Sequence, residues 1–96
     1  MKRAVYKYAV PVTRPGVFRI SMPVGAEVIS VGLQDNMPYL WAVVDLDEDR
    51  SADREFCFIG TGQEIPPLWP PLFVGTVITS TNTVGHLFVE GYARCV

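Results

Sequence analysis

The chain has 96 residues, 49% of them apolar and 19% charged, with a net charge of −2. A domain of this size buries roughly 60–65% of its unfolded surface, enough to fold without metals or disulfides, and the composition is that of a globular rather than a disordered chain. No apolar run approaches the ~18 residues of a membrane helix, and the acidity of the whole argues against duplex nucleic acid as a partner.

Met1-Lys2-Arg3 leads into an alternating pattern instead of a signal-peptide core, so cytoplasmic residence is the expectation. Cys57 and Cys95, without a secretion signal, are expected to stay reduced. The charges are unevenly placed. Residues 1–26 carry Lys2, Arg3, Lys7, Arg14 and Arg19 with no acid, whereas the remainder has three bases against ten acids. The bases either converge on a small anionic ligand, across an oligomer interface for instance, or guard an edge strand against sheet extension.

Taken in order, Ala4–Val10 alternates Tyr6/Tyr8/Val10 with Val5/Lys7/Ala9 and reads as a strand. Thr13-Arg14-Pro15-Gly16 is turn chemistry. Val17–Met22 follows as a half-buried strand with Phe18, Ile20 and Met22 inward. After the turn Pro23–Ala26, the strand Glu27–Gln34 places Ile29, Val31 and Leu33 on one face, and Asp35–Pro38 turns the chain again.

Leu40–Asp45 and Arg54–Ile59 lack polar alternation, so both predict strands covered on two faces, paired as a central hairpin. Between them lies the acidic run Asp47-Glu48-Asp49-Arg50-Ser51-Ala52-Asp53, whose carboxylates must stay hydrated because burying one unpaired costs several kcal/mol or more. Four prolines in Ile65–Pro71 rule out a helix interior or a central strand and leave an extended crossing loop. Leu72–Thr79, the turn Ser80–Thr83 and Val84–Glu90 complete about seven short antiparallel strands, an all-β sandwich or small barrel forming a single domain over 1–96.

Several patterns invite chemistry. Asp45, Asp47, Asp49, Ser51 and Asp53 fall at calcium-loop spacing, but Arg50 occupies the position that needs Gly, and Phe56 the position of the bidentate Glu. No metal or other cofactor is expected. Gly60-Thr61-Gly62 either lets backbone N–H groups approach an anion or forms a tight turn leaving the strand. His86 is the single histidine, which makes neither a triad nor a metal set and reads as a core or interface residue. Trp69 amid prolines either anchors a partner or plugs one end of the fold. No nucleophile elbow or Cys/His couple stands at informative spacing, so a non-enzymatic role is expected.

The order Tyr6-Lys7-Tyr8, Ile20-x-Met22-Pro23-x-Gly25-Ala26, Leu40-Trp41-Ala42-x-Val44-Asp45, Phe58-Ile59-Gly60-Thr61-Gly62-x-x-Ile65-Pro66, Phe73-Val74-Gly75-Thr76-Val77 and His86-Leu87-Phe88 resembles a family of short uncharacterised bacteriophage and prophage proteins, a domain of unknown function. The resemblance covers nearly the whole chain and implies a phage setting in a host cell but no reaction, ligand or site residue.

In that setting, a small protein without catalytic groups is expected to be an anti-defence inhibitor acting by binding. In one mode Asp47, Glu48, Asp49, Asp53 and Trp69 dock on a basic surface of a host defence protein and block it, as an anti-CRISPR does. In the other a homo-oligomer sequesters an anionic signalling nucleotide, with Lys7, Arg14 and Arg19 on phosphate, Tyr6, Tyr8 or Trp41 stacking on the base, and Thr61 beside them. A virion or assembly component is the third reading and would need self-association through exposed edges.

Overall fold

The computed structural model describes residues 2–12, 16–66 and 71–90. Seven strands follow one another as β1 Arg3–Ala9, β2 Gly16–Pro23, β3 Glu27–Gln34, β4 Met37–Asp45, β5 Ser51–Ile59, β6 Pro71–Ile78 and β7 Val84–Glu90. They form two antiparallel sheets, β1-β4-β3 (sheet A) and β2-β5-β7-β6 (sheet B). The sheets face each other as a sandwich and are not closed into a barrel, which decides between the two expected architectures.

The inner faces follow from strand alternation. Leu40, Ala42 and Val44 of β4 are at most 1% exposed and face Phe56 of β5 and Leu87 of β7, both 0% exposed. Phe18, Ile20 and Met22 point inward as expected, Met22 fully buried and the other two packed against the core. The Phe18 ring stacks on Phe56 with centroids 5.4 Å apart. Tyr8 of β1 and Val10 just after it likewise reach the core, while Tyr6 on the same face stays exposed.

The expected hairpin between β4 and β5 does not exist. β4 is the centre of sheet A, paired with β1 and β3, and β5 lies inside sheet B, paired with β2 and β7. The connection at 46–50 therefore passes from one sheet to the other. Two-sided apolar strands do occur here, but each is central to its own sheet. Coverage differs too: β5 buries Cys57 and Ile59 on its outer side as well, whereas the outer residues Trp41 and Val43 of β4 are only half-buried. Cys57 is a free thiol, and burial pushes its pKa up. Cys95 lies outside the described residues.

A second departure is the β-bulge between Val28 and Ser30. The extra residue shifts the alternation, so Val28 and Val31 pack on the core and Ile29 is 52% exposed, instead of Ile29, Val31 and Leu33 sharing a face. The turn from β3 to β4 is Asp35-Asn36, both at positive φ (53° and 63°), the conformation that matches the right-handed twist of the flanking strands.

Two ends of the sandwich result. Ile59 lies opposite His86 near the start of β7, and Pro71 opposite Glu90 at its finish. β5 and β6 thus run parallel with β7 between them. Trp69 and residues 67–70 lie outside the described residues. Where β3 and β6 approach, Val31 sits against the backbone of Gly75: a Cβ there would come 2.7 Å from Val31 Cγ1.

Candidate functional site

The acidic loop occupies one end of the sandwich and is closed by its own hydrogen bonds. Asp45 Oδ1 accepts from the Asp47 N–H at 2.9 Å, and the Glu48 N–H donates to the Asp45 carbonyl at 3.1 Å. Glu48 accepts from the Arg50 backbone N–H and from both Nε and Nη2 of its guanidinium, each at 2.9 Å. The loop is also tied to its neighbours, by Val24 N–H to the Arg50 carbonyl and Leu46 N–H to the Lys2 carbonyl. Arg50 is thereby turned inward upon the loop. Asp47, Asp49 and Asp53 stay exposed, and no described base forms an ion pair with them.

The Arg50 side chain, and then its backbone N–H, hold the Glu48 carboxyl down from an ordinary 4.5 to about 2. A carboxyl whose folded pKa is depressed stabilises the fold fully above its unfolded value, and that contribution disappears as pH falls through the folded one. The Glu48–Arg50 clasp is therefore expected to survive mild acid, and a carboxyl-resolved NMR titration should place the Glu48 midpoint near 2. A midpoint at the ordinary 4.5 would mean the clasp is open in solution.

Among the described residues expected to hold a nucleotide, Lys7 comes together with Trp41. They are cross-strand partners on the outer face of sheet A. Lys7 Nζ donates to Gln34 Oε1 at 2.7 Å and lies 4.7 Å from the Tyr39 ring centroid, and Tyr39 tilts against Trp41 at 6.5 Å. Tyr6 and Tyr8, opposite Ala42 and Leu40, point to the other face. Burial, and then the neighbouring Tyr6, push the Tyr8 hydroxyl pKa up. Arg19 stands on sheet B and pairs with Glu55 at 3.2 Å. Thr61 lies at the far end of the molecule, and Arg14 falls outside the described residues. Among the described residues Lys7 and Arg19 do not converge, because β1 and β2 belong to different sheets.

Gly60-Thr61-Gly62 forms a tight turn, with Gly62 at φ 89°. The Gly60 N–H is already taken by Gln63 Oε1, and the Gln63 N–H donates back to the Gly60 carbonyl. His86 is half-buried on the outer face of sheet B, where its Nε2 and Nδ1 meet the hydroxyls of Thr61 (2.7 Å) and Thr76 (2.9 Å). It is thus a surface histidine clasped by two threonines, not a core one.

At the end opposite the acidic loop a cleft of about 560 Å³ opens where the strands of the two sheets finish. Met37, Pro38, Phe58, Ile59 and Val77 give it an apolar floor, and Asn36, Thr61, Gln63, Thr79, Thr81 and Thr83 a polar rim. No described lining residue is charged. Apart from Thr61, sequence reasoning passed over these positions. Their common signal, turns rich in Thr, Asn and Gln that all fall at one end, appears only once the strand directions are known.

A family model described as a domain of unknown function, DUF7352, matches residues 1–94, in agreement with the resemblance to an uncharacterised family carried by the motifs along the chain. No curated protein and no solved structure matches the chain.

Proposed function

The chain belongs to the DUF7352 family, a domain of unknown function, and we propose that it is a non-enzymatic binder whose acidic end docks on a basic surface of another protein and blocks it. In the bacteriophage setting that the motif resemblance implies, that partner is a defence protein in the cytoplasm of the host. The reading rests on one observation above all: the loop at 46–50 is held in shape by hydrogen bonds that consume Arg50, while Asp47 and Asp49 of that loop, and Asp53, which lies in β5 and not in the loop expected there, are exposed. A loop ordered before binding loses little entropy on docking, and exposed like charges steer a basic partner. The separation of Lys7 from Arg19 and the uncharged cleft both weigh against an anionic nucleotide as the ligand.

Rim charges contribute roughly 0.2–1 kcal/mol each. The triple variant Asp47→Asn, Asp49→Asn, Asp53→Asn is therefore expected to bind the captured partner about 3- to 150-fold more weakly, and raising salt should weaken wild type more than the variant. Arg19→Ala, which opens the ion pair to Glu55, should leave binding unchanged. Loss of binding in Arg19→Ala with retention in the triple variant would replace this reading by sequestration of an anion.

A further inference from the structure

We propose that the cleft opposite the acidic loop is a second binding site, which takes an uncharged small molecule with an apolar body and hydrogen-bonding groups at its periphery. Three features carry this assignment, which is independent of the acidic end.

The cleft's volume, about 560 Å³, falls within the roughly 300–1,000 Å³ of small-molecule sites, which pair an apolar lining with a few placed polar groups. Phe58, Ile59 and Val77 supply the lining, and neutral hydroxyl and amide side chains the polar groups.

The rim is organised without a ligand. Asn36 Oδ1 accepts from the Ser80 N–H at 3.0 Å and so ties the β3–β4 turn of sheet A to the β6–β7 turn of sheet B. Within the latter turn, Thr79 Oγ1 accepts from the Thr83 N–H, and the hydroxyls of Thr79, Thr81 and Thr83 form a chain at 3.1 and 3.3 Å. Asn36 and Asn82 hold their turns at positive φ. Little ordering is left for a ligand to impose.

The chemistry of the lining selects the ligand's charge. A charged group entering this cleft would lose hydration and meet no described counter-ion, whereas hydroxyls and amides satisfy a neutral donor or acceptor at either polarity.

Three ring compounds of nearly one shape test the assignment: benzamide, which is neutral, benzoate and benzamidinium. Each is titrated into the ¹⁵N-labelled protein and followed by amide chemical shifts. Benzamide should give saturable shifts confined to residues 36–38, 58–63 and 77–85, in the low-millimolar range that a fragment of this size allows, and the two ions should bind at least about tenfold more weakly. Thr81→Asp, a change at an exposed turn position, should reverse the order in favour of benzamidinium, its spectrum reporting that the fold is retained. Absence of saturable benzamide shifts, equal or tighter binding of benzoate, or an unchanged order in Thr81→Asp would overturn the proposal.

Discussion

Phe56→Ala is expected to cost about 3–5 kcal/mol, the range for truncating a buried aromatic, and to lower the melting temperature by roughly 12–40 °C for a domain of this length. Phe56 is fully buried, stacks on Phe18 across the β2–β5 pair and stands beside Val89 of β7. It thus joins three strands of sheet B on the face that meets Leu40, Ala42 and Val44 of sheet A. A cavity there has no neighbour free to fill it, because the surrounding side chains belong to paired strands. Phe73→Ala is the matched control. Phe73 is 62% exposed, its ring tilted against Phe88 at 5.6 Å, so its loss should cost less than about 1 kcal/mol. Urea unfolding of the two variants beside wild type checks both values, and equal costs would mean that the core does not lie between the two sheets as described.

Gly85→Ala is expected to cost about 1–3 kcal/mol through overpacking. A Cβ at Gly85 would run into the Phe58 ring, which lies over the glycine and lines the cleft. Displacement of the ring should therefore reshape the cleft as well. Removing the ring relieves the conflict. In the Phe58→Ala background, Gly85→Ala should cost under about 0.5 kcal/mol, and the difference between the two costs measures the coupling. Equal costs in both backgrounds would place the strain elsewhere.

Much of the fold was legible from local pattern. Period-two alternation found the inward set Phe18, Ile20 and Met22, and turn chemistry found Asp35-Asn36. The misreadings came where a local signal has two global solutions. A strand apolar on both sides, such as Leu40–Asp45, announces that it is central without saying to which sheet, and five residues between it and β5 suit a hairpin or a crossing equally. The bulge at Ile29 leaves no mark in a run of apolar and small residues. The candidate sites show the same division. Asp47, Glu48 and Asp49 are adjacent in sequence and remain together in space, while Lys7 and Trp41 meet only through the β1–β4 register, and the cleft's rim is gathered from three separate turns.

The proposed role of the acidic end is tested most directly by native mass spectrometry of the protein, carrying an affinity tag, purified from phage-infected host cells. The account predicts a stoichiometric complex with a single host polypeptide of basic surface, lost when Asp47, Asp49 and Asp53 are all changed to Asn. A nucleotide-sized anion retained on a discrete oligomer would contradict it, as would the bare chain eluting free of any host polypeptide.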